Sequence, residues 1–441
     1  MGISIMAKTS VKEFKLVNVE LLVPYANNPR THSKEQIKKL QSSLREFGFI
    51  NPLIIDREYN VLAGHGRLSA AKAEGYKEVP CVFVEDLSEA QKKAYIIADN
   101  RMALDAGWDE ELLAVELEGL SDLGFDLSLT GFDEKELANL FKSNEAEIED
   151  DDYDLTKALE KAAFVEYGDR WIVGRHVLVC GDATNPDDVN KLVDGKRANL
   201  ILTDPPYGVS FTSSSGLKIK NDSLKNEEFY QFLLKAFKNM VDHCEPGASA
   251  YCFHADTEGL NFRTAFRDAG LHLAGCCIWV KDSLVLGRSD YQWQHEPILY
   301  GFLKNGKHNW YSDRKQTTVW NFKKPKRNEN HPTSKPLDLL SYPLRNSSQE
   351  NSIILDTFGG SGSTLMACEL TNRICYTMEI DEKYASVILR RYVDNTGDAD
   401  NVYCIRNGQK VAYADVVKQV EGSSENSSTQ IKIIGKDEKP L

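Results

Sequence analysis

The chain has 441 residues, 41% of them hydrophobic and 27% charged, and a formal net charge of −13. That is room for two or three globular domains of ordinary composition, and no apolar stretch approaches the roughly 20 residues of a membrane span. The charge is unevenly held: residues 1–105 carry a net +2, residues 106–166 a net −15 and residues 167–441 a net 0, so the overall acidity does not exclude a nucleic-acid partner.

The start, MGISIMAKTS, has no signal-peptide core, and Met6 breaks the myristoylation pattern. Nine cysteines without a C-x-x-C pair fit reduced thiols and argue against zinc. A cytoplasmic protein with no metal and no membrane contact is the expectation. Residues 16–57 then predict strand, turn, helix and strand. The helix carries Ile37, Leu40 and Leu44 at helical spacing, with Ser33 as N-cap and Gly48 as stop. "VLAGHGRLSAAKAEGY" reads as strand, tight turn and Ala-rich helix, "VPCVFVEDL" as a strand and "SEAQKKAYIIADNRMAL" as a helix. Residues 1–105 thus form a small α+β domain. Residues 106–164 read as an acidic helical segment followed by a flexible linker, because "SNEAEIEDDDYD" is dense in like charge. From about 165 to 410 strands and helices alternate, which predicts a doubly wound, mostly parallel α/β sheet. Residues 411–441 read as a tail.

Two stretches of the larger domain carry chemistry. "SIILDTFGGSGSTLMACEL" is a buried strand, a Gly-rich turn and a helix start, the usual cradle for an anion or nucleoside-containing cofactor. It lacks a P-loop lysine, which disfavours nucleoside triphosphates, and Glu379 ends the next strand-like run, where an acid binds ribose hydroxyls. Earlier in the chain, "LTDPPYG" ends a strand on two prolines. A base amine presented there would meet two acceptors, the Asp204 carboxylate and the Pro205 carbonyl, left free by the donor-less Pro206. Tyr207 offers a ring face to a base out of its stack. Such acceptors localise the amine lone pair, so catalysis needs positioning and electrostatics but no strong base.

"TDPPYG" followed by "DTFGGSGST" resembles the permuted β-type group of S-adenosyl-L-methionine-dependent DNA amino-methyltransferases (N6-adenine and N4-cytosine). "VCGDA", "HPTSKPLDLL" and "HEPILYGFLKN" match that family in the same order over roughly 165–400. The resemblance implies catalysis by Asp204, Pro205, Pro206 and Tyr207. It implies cofactor contacts from Asp182, Asp356, Phe358, Gly359, Gly360, Gly362 and Glu379, with Thr333, Ser334 and Lys335 at the methionine end. It leaves His331 and His254 outside the site. The interval 282–330 interrupts the α/β alternation. It carries Arg288, Arg314, Lys315, Lys323, Lys324, Lys326 and Arg327 among Trp293, Trp310, Tyr311 and Trp320, a pattern suited to double-stranded DNA. Asp in the first place of "DPPY" implies N6 of a flipped-out adenine. N4 of cytosine is the alternative, and a nucleotide-switched DNA-binding protein with a secondary methyltransferase half is another.

The stretches from "NPRTH" to "IADNRMAL" resemble the N-terminal domain of ParB-type partition proteins. That resemblance implies a nucleotide-phosphate site at Gly64, Gly66 and Arg67, with Arg30 and Asn28 in support, and a second copy of the chain as partner. His65 and Gly66 stand where partition proteins carry Glu and Arg, and no partition-type helix-turn-helix is recognisable after the box. A fusion of this kind is reminiscent of phage methyltransferases and of restriction-modification.

Overall fold

The computed structural model describes residues 11–26, 30–105, 107–144, 148, 150–151, 153–208, 226–285, 290–323, 335–406 and 408–420. The chain divides into two units, Met1–Glu145 and Ala146–Leu441. The first contains β1 (Val11–Asn18), β2 (Val23–Pro24), α1 (Lys34–Phe47), β3 (Leu53–Ile55), β4 (Asn60–Ala63), α2 (His65–Ala73), β5 (Glu78–Val84) and α3 (Glu89–Asp105). Its sheet has the order β1-β5-β3-β4-β2. Helix α1 begins as its sequence implies, with Ser33 Oγ accepting the Gln36 N–H at 3.0 Å, and stops at Gly48 with φ 73°. Leu44, Leu53, Ile55, Val61, Leu68 and Val79 make the core between sheet and helices. Two further helices, α4 (Glu110–Asp122) and α5 (Glu134–Asn144), follow in the acidic stretch. Their first turns hold Glu110 and Glu111, and Glu134 and Glu136, where negative charge favours a helix N-terminus.

The second unit opens with α6 (Leu155–Glu160) and continues through β6 (Arg170–Val173), β7 (His176–Cys180), α7 (Pro186–Val193), β8 (Ala198–Thr203), α8 (Asn226–Asp242), β9 (Cys244–Phe253) and α9 (Gly259–Asp268). It then runs through β10 (Leu271–Val285), β11 (Trp293–Leu303), β12 (Val319–Asn321), α10 (Leu337–Ser347), β13 (Ile353–Asp356), α11 (Ser363–Leu370), β14 (Ile374–Glu379), α12 (Glu382–Thr396), β15 (Val402–Arg406) and β16 (Gln409–Ala412). One 11-stranded sheet orders them β12-β10-β11-β9-β8-β13-β14-β7-β6-β15-β16. The parallel sheet expected from the sequence forms its centre, β9-β8-β13-β14-β7. The flanks add antiparallel pairs, β9–β11–β10 on one side and β7–β6–β15–β16 on the other, so the sheet as a whole is mixed. Alternate residues of one strand face opposite layers: Leu200 and Leu202 join one core, Ile201 the other.

Two segments are more ordered than their composition implied. The described residues of the acidic run are packed: Asp151 accepts from Arg391 Nε and Nη2 at 2.5 and 2.8 Å, and Asp150 accepts the Leu337 N–H at 3.2 Å. The like charges that suggested a loose linker are matched here by an arginine on α12 and the N-terminus of α10. Residues 411–412 complete β16 and residues 413–420 are helical, with Val416 buried in the core. The expected tail is therefore structured to 420, because Val416, Val417 and Val420 pack on that core.

Candidate active site

The five central strands are parallel, so their carboxyl ends share one edge, and the chain reverses direction of winding between β8 and β13. Asp182 lies just past β7, Asp204 just past β8, His254 just past β9, Asp356 ends β13 and Glu379 ends β14. All five line one cavity of about 600 Å³, within the size range of cofactor sites. Its two motif-bearing strands are stitched together: Thr203 Oγ1 donates to Asp356 Oδ1 at 2.9 Å.

Strand β8 stops at Thr203, just before Asp204, because Pro205 and Pro206 cannot extend the ladder. Its Oδ1 accepts the Tyr207 hydroxyl at 2.6 Å, and its Oδ2 lies 2.6 Å from Lys335 Nζ. The same Tyr207 hydroxyl stands 2.6 Å from Glu296 Oε1. Glu296 pairs with Lys335 at 2.9 Å and, through Oε2, with Lys281 at 2.9 Å. Burial raises the Asp204 carboxyl above the ordinary carboxylate range against the pull of Lys335. Glu296 is brought down to about 2, burial being outweighed by the Lys335 and Lys281 ammoniums. Burial disfavours the charge on Lys335, but the two carboxylates outweigh it and keep the ammonium protonated above the usual lysine range. Lys335 therefore stands here as a fixed cation beside Asp204, and it lines the same cavity as the glycine loop. Glu296 and Lys281 were not among the expected site residues, although Glu296 lies in the "HEPILYGFLKN" stretch that matches the family; Lys281 gives only the signal of a charged residue inside an otherwise apolar strand run.

The Pro205 carbonyl receives no hydrogen bond among the described residues and stays available as an acceptor. The Tyr207 ring meets Phe262 edge-on with centroids 6.3 Å apart, and Tyr207, Pro205 and Pro206 all line the cavity.

The glycine loop is held from behind. Gly359 N–H donates to the Met378 carbonyl at 2.7 Å, and a Cβ on Gly359 would lie 2.6 Å from Thr377 Oγ1. Gly360, at φ 52°, presents its N–H to Glu379 Oε2 at 2.8 Å, and Gly362, at φ 84°, caps α11. Glu379 Oε1 also accepts the Asp381 N–H at 2.9 Å. Burial pushes both the Glu379 and Asp356 carboxyls up to about 7. Asp182 accepts from the Thr184 N–H and hydroxyl, each at 2.9 Å. The Phe358 ring lines the cavity and packs on Phe232, 5.9 Å between centroids. Thr357 Oγ1 lines the same cavity, buried and without a hydrogen-bond partner among the described residues. A Gly-rich wall, two acceptor carboxylates, an aromatic face and an orphaned hydroxyl suit an adenosyl-amino-acid ligand. Leu155, ahead of the expected domain start, also lines the cavity, and so does His254, buried with its Nδ1 unpartnered among the described residues.

Thr333, Ser334, Arg288, Lys324, Lys326 and Arg327 lie outside the described residues, as does Asn28. Lys323, Arg314 and Lys315 are exposed. Of the aromatics expected among them, Trp293 lines the cavity, whereas Trp320 is buried in the core and Trp310 donates its Nε1–H to the Asp313 carbonyl. In the N-terminal unit Gly64 starts α2 at φ 97° with no side-chain cap. Arg67 has its Nε buried without a partner among the described residues, and its Nη2 donates to the Pro52 carbonyl at 3.4 Å. A Cβ on Gly66 would lie 3.0 Å from Leu40 Cδ1 and 3.1 Å from His32 Cε1, so this glycine lets α1 and α2 approach. Arg30 Nη1 donates to Asn100 Oδ1 at 3.2 Å.

Three family models match the chain: "DNA methylase" over residues 198–390, "ParB-methyltransferase HTH domain" over 111–166 and "ParB N-terminal domain" over 5–100. The second match puts a helix-turn-helix of the ParB-methyltransferase kind after the N-terminal box, where no partition-type one is recognisable. The helices α4 and α5 within it carry acidic first turns. The ParB-like nuclease domain-containing protein YnaK of Escherichia coli is 43% identical over 72 residues, 16% of this chain and 83% of that protein. The type II methyltransferase M.BglII of Bacillus subtilis is 22% identical over 275 residues, 51% of this chain and 74% of that protein. Among solved structures, the M1.HpyAVI–SAM complex is similar at 20% identity and a TM-score of 0.39, covering 48% of this chain and 98% of that one.

Proposed function

We propose that this chain, a ParB-like N-terminal domain fused to an S-adenosylmethionine-dependent N6/N4 DNA methyltransferase domain, methylates the exocyclic N6 amine of an adenine flipped out of double-stranded DNA. The observation that carries this reading is Asp204-Pro-Pro-Tyr207 at the end of β8, opening on the same cavity as the glycine loop after β13. Asp rather than Ser in the first position favours adenine over cytosine N4.

S-adenosylmethionine supplies, when bound, a sulfonium methyl that the amine nitrogen takes as the carbon–sulfur bond breaks. The Asp204 carboxylate and the Pro205 carbonyl accept the two amine hydrogens, which localises the nitrogen lone pair. The methylated nitrogen then sheds one proton, and Asp204, whose proton affinity burial raises, is the nearest acceptor. The Tyr207 ring holds the base. Glu379 and Asp182 bind the adenosine end of the cofactor, and Phe358, Gly359, Gly360 and Gly362 shape its cradle. Lys323 and the cations of 282–330 hold the duplex backbone. In the N-terminal unit the uncapped start of α2 and the Arg67 guanidinium suit a nucleotide phosphate.

The test is transfer of label from tritiated S-adenosylmethionine to DNA, with the labelled base identified after digestion. N6-methyladenine is expected. N4-methylcytosine overturns the base assignment, and no label overturns the reaction. Asp204→Ala is expected to lower transfer by about a hundred- to a thousandfold, the scale of losing a well-placed electrostatic group, with cofactor binding retained.

A further inference from the structure

Glu296 sits 92 positions beyond Asp204, in the "HEPILYGFLKN" stretch to which no catalytic residue was assigned, yet it is the hub of the polar cluster around Asp204. Its Oε1 faces the Tyr207 hydroxyl at 2.6 Å and Lys335 Nζ at 2.9 Å, and its Oε2 faces Lys281 Nζ at 2.9 Å. Tyr207 and Lys335 are also the two groups that occupy Asp204, one on each oxygen, both at 2.6 Å. Every described side-chain partner of Asp204 is thus held from its far side by Glu296. Glu296 and Lys335 are both more than nine-tenths buried, where polar contacts are strong and a missing partner is costly. The two acids and two lysines balance in charge. The phenol supplies one proton between two carboxylates, so its donation to one leaves the other short oxygen contact without a hydrogen unless an acid is protonated.

We propose that Glu296 is a positioning residue for methyl transfer. Anchored by Lys281, it fixes the Tyr207 hydroxyl and the Lys335 ammonium against Asp204 and sets the pH at which Asp204 is free to accept the target amine. This rests on the proposed reaction and deepens it. The groups that bear on the pair come from every neighbouring element. Lys335 precedes α10, Lys281 is on β10, Cys252 is on β9 with His254 just after it, Asp356 ends β13, and Tyr207 follows β8. Of these, Tyr207 and Lys335 contact both Asp204 and Glu296, and Lys281 contacts Glu296.

Two substitutions of opposite charge effect separate this role from a structural one. Glu296→Gln keeps the shape and an acceptor for Tyr207 but leaves two ammoniums facing one carboxylate. Asp204 then ionises at lower pH, and the acid limb of kcat moves down by about one pH unit. Lys281→Met removes a compensating cation, leaves Glu296 more negative beside Asp204, and moves the same limb up. Full-length wild type, Glu296→Gln and Lys281→Met are profiled from pH 5 to 9 at saturating S-adenosylmethionine and DNA, with cofactor affinity measured on each. The expected result is two shifts in opposite directions with cofactor affinity unchanged. Limbs that stay put, or move the same way, overturn the role of Glu296. If Glu296→Gln does not fold, the direction of the Lys281→Met shift decides, because Lys281 touches the cluster only through Glu296 Oε2 and methionine keeps the unbranched apolar stem. A wild-type protein that labels no DNA refutes the underlying reaction instead.

Discussion

Glu379 shows how much one buried carboxylate decides. It holds the Gly360 and Asp381 N–H groups, and burial pushes it up to about 7. A hydroxyl-bearing ligand that donates to this group favours its ionised form. Cofactor affinity is therefore expected to rise from pH 6 to pH 8 and level off above, and Glu379→Gln to weaken binding and flatten the dependence, as read by calorimetry across pH. Stability runs the other way. A carboxyl whose folded value lies above its unfolded one favours the folded state at low pH, and that contribution is lost as pH rises from about 4.5 to about 7. Asp356, also at about 7, adds in the same sense. Asp204 and Tyr207 were legible because four consecutive residues carry the chemistry. Glu296 and Lys281 were not, since single charged residues in strands β11 and β10 look like strand ends or surface until the strands are ordered. The pairing of Lys335 with Asp204 and Glu296 was not legible, because a motif identifies a side chain and says nothing of its partners from other strands.

The elements that frame the cavity were mostly visible in the sequence, since strand, glycine turn and helix cap are local signals. Asp381 caps α12 by accepting the Lys383 N–H, and Gly362 caps α11. The tightness of the loop was not visible. A Cβ on Gly359 would lie 2.6 Å from Thr377 Oγ1, 3.0 Å from Ile388 Cδ1 and 3.2 Å from the Met378 carbonyl. Gly359→Ala is thus expected to destabilise the protein by about 1–3 kcal/mol, the usual cost of overpacking, and to weaken cofactor binding, checked by thermal melting with and without S-adenosylmethionine. The second hidden support is Arg391 on α12. It donates to the Ser361 carbonyl and Ser363 Oγ of the loop, each at 3.0 Å, and grips Asp151 in a two-pronged pair. Asp151→Asn leaves a buried guanidinium short of its charge, a loss of about 3 kcal/mol. Denaturant unfolding is expected to show it, and the loop's ligand affinity to fall with it.

At the scale of the molecule the chain is a DNA methyltransferase acting on an exocyclic amine, carried behind a ParB-like unit, and no described helix is long and apolar enough to cross a membrane. The methyltransferase unit begins earlier than its first strand. Leu155, Ala158 and Leu159 of α6 cover Val387 of α12, and Leu155 reaches the cavity. A chain begun at residue 165 is expected to melt lower and bind S-adenosylmethionine more weakly than one begun at residue 146, because each buried leucine contributes roughly 1.5–3 kcal/mol. In the N-terminal unit, Arg67→Ala is expected to weaken binding of the nucleotide proposed for it, measured by fluorescence titration. Unchanged affinity removes Arg67 from that site. The sequence by itself determined the two kinds of unit, the strand-end acid with its prolines and tyrosine, and the glycine cradle, because each is written in a run of neighbouring residues and in hydrophobic period. Only the tertiary structure decided that β8 lies beside β13, that antiparallel pairs flank the parallel centre, and that Glu296, Lys281 and Lys335 gather around Asp204 and Tyr207. Strand order depends on how whole faces bury against one another, and ion-pair partners follow from that order rather than from their spacing in the chain.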